Sequence, residues 1–184
     1  MKSTRLEAFS DGVLAIIITI MVLELHTPEG NGFSDLVHET GLGFLSYLLS
    51  FVYVGIYWTN HHHYFQLVER VDGRVLWGNL NLLFWLSLIP MTTDWMDASN
   101  LAQVPVLVYG INLTIAAGSF GALIAMLRRR QPAGSRLNRA LRTVHKSQWS
   151  MVVFGIAIAM YVVTAVLWVV PDRRVERVIA DAHQ

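Results

Sequence analysis

The chain has 184 residues, of which 54% are hydrophobic and 15% are charged, whereas a soluble domain has about 25% charged residues. This composition, with a mean hydropathy of +0.45, excludes an ordinary soluble domain and places the chain among membrane proteins. The net charge of +1 gives no reason to expect a nucleic-acid partner, and the lack of cysteine excludes disulfides and thiolate metal sites.

Long apolar runs divide the sequence. A bilayer core about 30 Å thick needs roughly 20 apolar residues in a helix, because lipid cannot satisfy exposed backbone groups. Four runs reach that length without Lys or Arg in their middle: 5–25, 42–65, 75–93 and 101–127. We predict an all-α, polytopic helical membrane protein with a single transmembrane domain over 1–184, without internal repeats or linkers.

The C-terminal part allows more than one interpretation. The apolar run 147–170 is long enough for a fifth span, followed by a short surface helix over 172–182. A short hairpin over about 136–170 would instead make a sixth span and return the C-terminus to the cytoplasm. Hydropathy favours five clear spans, and the positions of the later arginines favour six. The sequence leaves both open.

Lys and Arg predict the orientation. Lys2 and Arg5 precede the first span, Arg70 and Arg74 lie between the second and third, and the segment 128–146 holds half of all Lys and Arg in the chain. The loops on the other side have none. The positive-inside rule therefore predicts a multi-pass protein of the cell membrane with a cytoplasmic N-terminus.

The first run, "RLEAFSDGVLAIIITIMVLEL", combines a polar start with an aliphatic remainder. At about 100° per residue, Ile16, Ile20 and Leu23 share one stripe of the helix, and Thr19 flanks it. Asp11 points about 140° away from Ile16. One face of this helix is therefore aliphatic, and a different face carries the carboxylate.

The polar start needs partners on other helices. An ionisable residue at the bilayer centre costs roughly 2.5–3.5 kcal/mol, so Asp11 is expected to have a role. We favour anchoring of Ser10 and Asp11 to neighbouring helices over ion binding or catalysis. The end of the second run, "WTNHHHYF", is predicted at the same depth, so Arg5 and Asp11 are expected to meet Asn60, His61 or His62.

Three adjacent histidines, 61–63, raise the question of a metal or haem site. Consecutive helical residues diverge by about 100°, whereas helical metal sites use spacings of three or four. We therefore expect no metal and no cofactor, and one histidine facing inward as a hydrogen-bond partner. Because the sequence also has no phosphate loop and no Ser–His–Asp order, we expect no enzyme activity.

Three segments resemble the transmembrane protein 175 family. "RLEAFSDG" is similar to its Arg-x-x-x-Phe-Ser-Asp signature, "YWTNHHHYF" to the end of its second helix, and "NLNLLFWLSLIPMTT" to its third. The resemblance covers residues 5–93. Met91 stands where the family usually has Phe, and the last two helices are shorter than the family pattern.

This resemblance implies a cation channel that conducts potassium and, in some members, protons, without a P-loop filter. It also implies six helices per subunit, assembly as a homotetramer and a pore lined by the first helix. The implied pore positions are Ile16, at the constriction, with Thr19, Ile20 and Leu23. The implied structural network consists of Arg5, Phe9, Ser10 and Asp11, with His61 and either Asn81 or Trp85 as partners.

Two other functions remain open from the residues. A proton-coupled transporter would use Asp11 and His61 as a proton relay. A membrane-embedded enzyme or haem protein would be built on the histidine cluster, although no ligand or catalytic spacing supports it.

Overall fold

The computed structural model describes residues 2–68, 70–132 and 134–143. They form six α-helices: α1 Ser3–Leu23, α2 Phe33–Gln66, α3 Gly73–Ser87, α4 Ile89–Ala98, α5 Gln103–Arg130 and α6 Arg136–Thr143. Within these ranges the structure has no β-strand, and one isolated antiparallel bridge pairs Lys2 with Arg70. The prediction of an all-α protein is confirmed for this part of the chain.

Four segments are long and apolar enough to cross a membrane: Ser3–Leu23, Thr40–Gln66, Gly73–Ala98 and Gln103–Arg130. They coincide with the four predicted apolar runs. The helix α2 begins well before its apolar part, where the Gly32 N–H donates to Asp35 Oδ2 at 2.9 Å and caps the helix. The run 147–170 lies outside the described residues, as does the hairpin over 136–170 apart from α6.

The third span consists of two helices rather than the continuous helix predicted over 75–93. Pro90 has no N–H and cannot donate to the Leu86 carbonyl, so the helix is interrupted at Leu88. Regular bonding resumes at Thr92, whose N–H and hydroxyl each donate to the Leu88 carbonyl at 3.0 Å. The interruption is therefore a local consequence of proline.

The helices pack around α1 and α5. The helix α1 contacts α2, α3 and α4, and α5 contacts α3 and α4. Hydroxyl groups also join three helices, because Ser50 Oγ lies 2.8 Å from Thr93 Oγ1 and 3.0 Å from the Tyr109 hydroxyl. Such bonds satisfy polar groups that lipid cannot satisfy, and they fix α2, α4 and α5 relative to one another.

One end of the bundle collects the basic segments. The Lys2 backbone pairs with Arg70, and Gln131 Nε2 donates to the Arg70 carbonyl at 3.3 Å. The N-terminus, the α2–α3 loop and the end of α5 therefore lie together. Each of these segments carries Lys or Arg, as the charge pattern of the sequence predicts for a single side of the membrane.

Asp72 in the α2–α3 loop caps α3. Its Oδ1 accepts from the Val75 N–H at 3.0 Å, and its Oδ2 lies 3.4 Å from Arg130 Nε. The hydrogen bond from Val75 and, to a lesser extent, the guanidinium of Arg130 lower the pKa of the Asp72 carboxyl. The ionised carboxylate therefore stabilises the fold above its unfolded pKa of about 3.9, and this contribution disappears as the pH falls through the lower folded value.

Asp72→Asn is expected to remove this pH dependence, because the amide oxygen still caps α3 but does not titrate. The thermal midpoint of the wild-type protein in detergent, followed by tryptophan fluorescence, should fall more steeply below about pH 4 than that of Asp72→Asn. Equal slopes for the two proteins would contradict the capping argument.

Candidate functional site

The helix α1 has one side that packs into the bundle. Its buried residues recur every three or four positions, as for one face of an α-helix. They are Ser3, Leu6, Ser10, Leu14, Ile17 and Met21. This side fixes the rotation of α1 against its neighbours.

The opposite side of α1 is not covered by the described part of the chain. Ile16 is 58% exposed and Leu23 is 82% exposed, and Thr19 and Ile20 are exposed as well. The Thr19 hydroxyl donates to the Ile16 carbonyl at 2.9 Å. We call these four residues the aliphatic stripe, since they present mainly methyl and methylene groups and carry no charge.

Three polar side chains join α1, α2 and α3 in the interior. Asn79 Nδ2 donates to Ser10 Oγ at 2.9 Å, and Asn79 Oδ1 lies 2.8 Å from His61 Nε2. The Ser10 hydroxyl in turn donates to the Leu6 carbonyl at 2.9 Å. Ser10 and Asn79 are 0% exposed and His61 is 1% exposed, so these three residues form a buried polar network.

The network determines which ring nitrogen of His61 carries the proton. Because Asn79 Oδ1 can only accept, His61 Nε2 must carry the proton. His61 Nδ1 is buried without a hydrogen-bond partner, and the ring stacks on Phe65 with centroids 4.2 Å apart. A neutral, apolar-packed imidazole suits a structural role, since a charged ring would be expensive in this interior.

The two carboxylates near the start of α1, Glu7 and Asp11, contact α2 outside the buried polar network. The Trp58 Nε1 donates to Asp11 Oδ1 at 3.1 Å, and His62 Nδ1 donates to Glu7 Oε1 at 2.7 Å. The rings of Trp58 and His62 stack with centroids 6.0 Å apart. Asp11 therefore contacts a tryptophan, whereas the sequence suggested Asn60, His61 or His62.

The remaining residues of the predicted network make other contacts. Arg5 and Phe9 are exposed. Asn81 Nδ2 donates to Ser119 Oγ on α5 at 2.9 Å, and Trp85 is half-buried beside Phe84. The structure thus brings Ser10 and His61 together and leaves Arg5, Asn81 and Trp85 outside the buried polar network.

Asn79 is the partner that sequence reasoning did not select. The buried side of α3 includes Val75, Leu82 and Leu86, and Asn79 falls three or four residues from its nearest members. An asparagine within such an apolar stripe indicates a buried amide that needs a hydrogen-bond partner on another helix. Asn81 is two positions further along, on a different side of the helix.

Carboxylates lie at the other end of the bundle, directly beyond the aliphatic stripe. Glu24 follows Leu23, and burial, with a smaller contribution from the nearby Asp94, raises the pKa of the Glu24 carboxyl. Asp97 lies against Gly43, where an added Cβ would clash with the Asp97 carboxylate. No Lys or Arg occurs within 6–69 or 75–127, so the described residues at this end include carboxylates and no Lys or Arg.

The three histidines diverge, as their spacing requires. His61 is buried, His62 is half-buried and His63 is exposed. Within residues 2–68, 70–132 and 134–143, no group of three or more His, Asp or Glu residues is arranged to hold a metal ion.

Comparison with known proteins points to one family. Residues 5–90 match the family model described as the endosomal/lysosomal potassium channel TMEM175. A potassium channel of a Chryseobacterium species is 47% identical over 188 residues, covering 96% of this chain and 97% of that protein. A potassium channel of Streptomyces collinus is 35% identical over 129 residues, covering 66% of this chain and 63% of that protein.

A solved structure shares the fold. The crystal structure of a lysosomal potassium-selective channel TMEM175 homolog from Chamaesiphon minutus matches with a TM-score of 0.69 at 26% identity, covering 91% of this chain and 90% of that one. The mouse endosomal/lysosomal proton channel TMEM175 is 30% identical over 127 residues, which are 67% of this chain and 25% of the mouse protein.

Proposed function

This chain belongs to the TMEM175 family of potassium channels, and we propose that it is itself a potassium-permeable cation channel in which the aliphatic stripe of α1 lines the ion path. The observation that carries the proposal is the contrast between the two sides of α1. Its buried side is tied to the bundle by the buried polar network. Its stripe is left uncovered by the described residues, with Ile16 58% exposed.

A symmetric assembly gives the stripe a partner. In a homotetramer with closed symmetry, the same face of each subunit meets around one axis. Four copies of Ile16 would then form a hydrophobic constriction without a P-loop filter. A hydrophobic constriction can gate by excluding water, and the buried side of α1 would hold the helix in the rotation that turns Ile16 toward the axis.

Selectivity would follow from hydration. Aliphatic side chains offer an ion no ligands, so passage requires a wetted pore or the loss of some bound water. Sodium, the smaller ion, holds its water more tightly than potassium and pays the larger penalty. The carboxylates beyond the stripe, among them Glu24 and Asp94, would raise the local concentration of cations at that mouth.

We also propose a cellular location for the protein and an orientation in the membrane. The collection of the N-terminus, the α2–α3 loop and the end of α5 at one basic end supports a cell-membrane protein with that end in the cytoplasm. Beyond the four spans described, the apolar run 147–170 would add a fifth span or, together with residues from about 136, a hairpin that makes six.

The function is tested by reconstitution. Purified protein in liposomes should carry potassium down an imposed gradient, and more slowly carry sodium, with the flux reported by a voltage-sensitive dye. Liposomes containing the correctly assembled protein but showing no potassium flux would contradict the proposal.

The variant Asp11→Asn distinguishes the proposed channel function from the alternative, a proton-coupled transporter that uses Asp11 and His61 as a proton relay. The amide oxygen of asparagine can still accept the hydrogen bond from Trp58, which Asp11 Oδ1 accepts at 3.1 Å. We therefore expect normal assembly by size-exclusion chromatography and a potassium flux within about twofold of wild type, since one such bond in a membrane contributes only about 0.6 kcal/mol. Loss of all flux with intact assembly would favour the transporter.

A further inference from the structure

We propose that the arginines at the end of α5 and on α6 form a binding surface for anionic phospholipid headgroups. We call it the arginine surface, and its members, all exposed, are Arg128, Arg129 and Arg136. The proposal rests on the membrane location of the chain and is independent of whether it conducts ions.

The helix α6 is held in place against the end of α5. Asn138 Nδ2 donates to the Pro132 carbonyl at 2.8 Å and to the Gln131 carbonyl at 3.2 Å. Ser135 Oγ caps α6 by accepting from the Asn138 N–H at 3.2 Å, and Leu137 is 0% exposed. The arginines of α5 and α6 therefore have a defined arrangement, which a loop serving only to orient the chain in the membrane would not need.

The two sides of α6 differ in chemistry. Leu137 and Leu141, four residues apart, share the side that packs on the hydrophobic core. Arg136 and Arg139, three residues apart, share another side and are exposed. The helix thus docks through leucine and presents arginine outward.

The positive charge of this surface is not balanced nearby in sequence. No Asp or Glu occurs between Asp97 and Asp172. Asp72, from the α2–α3 loop, pairs with Arg130 at 3.4 Å, which is not a member of the arginine surface. Within the part of the chain that the structure describes, no ion pair involves Arg128, Arg129 or Arg136, so these three arginines present positive charge to which anions are attracted.

The position of the arginine surface along the membrane normal indicates that its partner is a lipid headgroup. The 28 residues of α5 span about 42 Å at 1.5 Å per residue, which exceeds the bilayer core of about 30 Å. The last turn of α5 and the adjoining α6 are therefore expected at the level of the headgroups. Guanidinium groups bind phosphate oxygens through paired hydrogen bonds, so a phospholipid with a net negative headgroup fits both the position and the charge.

The test measures lipid binding to the full-length protein in neutral detergent. Short-chain phosphatidylglycerol is titrated onto the protein, with phosphatidylcholine of the same chain length as the neutral reference. The double variant Arg129→Gln/Arg136→Gln should weaken the phosphatidylglycerol affinity about twenty-five-fold, at about fivefold for each arginine. Arg74→Gln, the same substitution at one exposed arginine of α3 outside the surface, is the control for the single variant Arg129→Gln and should have little effect, whereas Arg129→Gln should weaken the affinity about fivefold.

Several outcomes would overturn the proposal. An unchanged phosphatidylglycerol affinity in the double variant would do so, as would a loss of affinity in Arg74→Gln as large as that in Arg129→Gln. So would a wild-type protein that binds phosphatidylglycerol no better than phosphatidylcholine. Binding of inorganic phosphate or a soluble nucleic acid as tightly as phosphatidylglycerol would also contradict it. Should the double variant misfold, the salt dependence of wild-type binding decides, because phosphatidylglycerol affinity that does not fall with added KCl is not electrostatic. Loss of ion flux with lipid binding retained would reject only the channel.

Discussion

Replacing Ile16 by asparagine is expected to bring the permeabilities for potassium and sodium close to equality and to raise the total cation current. In the proposed tetramer this change places four amide groups at the constriction. They hydrate the pore and supply ligands to a passing ion, so that discrimination by partial dehydration is lost. The measurement is the reversal potential under potassium and sodium gradients in a planar bilayer.

Ile111→Asn is the matched control for this prediction. Ile111 is 49% exposed on α5, compared with 58% for Ile16 on α1, and the chemical change is the same. The control should keep the wild-type reversal potential. An unchanged reversal potential in Ile16→Asn would remove Ile16 from the ion path and, with it, the assignment of the aliphatic stripe.

Replacing Asn79 by leucine is expected to destabilise the protein by about 2–4 kcal/mol. Two interhelical hydrogen bonds are lost, each worth roughly 0.6–1.7 kcal/mol in a membrane, and the buried Ser10 and His61 lose a partner. The expected result is a lower thermal midpoint in detergent and a smaller tetramer peak in size-exclusion chromatography. Any protein that remains assembled should keep the wild-type reversal potential, because the buried polar network lies on the opposite side of α1 from the stripe.

Asn81→Leu is the control, since Asn81 loses a single bond to Ser119 on α5. It should be destabilised by about 1 kcal/mol or less. The double variant His61→Leu/Asn79→Leu should recover part of the loss, because removing both partners of a buried pair is less costly than removing one. A larger effect from Asn81→Leu than from Asn79→Leu would contradict the assignment of the network.

The two predictions address different halves of one helix. The polar start of α1, through Ser10, positions the helix, while the stripe from Ile16 to Leu23 would meet the ions. Because the rotation of α1 is set by the buried network, a loss of the network would alter assembly first. A change in the stripe would alter selectivity first, so the experiments distinguish the two roles even where both reduce total flux.

The amino-acid sequence alone was sufficient for the four described spans and for the two-sided character of α1. Hydropathy over roughly 20 residues and the 3.6-residue helical period are local properties, and both can be read from a single segment. The helical period places Ile16, Ile20 and Leu23 on one stripe flanked by Thr19, and the structure shows that this stripe is exposed among the described residues. The interruption at Leu88 is also local, since it depends on Pro90.

Only the tertiary structure decided which polar groups pair. Asn79 rather than Asn81 meets Ser10 and His61, and Trp58 rather than a histidine meets Asp11. Partners on different helices depend on the relative rotation and axial shift of those helices, which are set by the packing of all of them together. A single helix sequence determines which side is polar, and the packed bundle determines what that side touches.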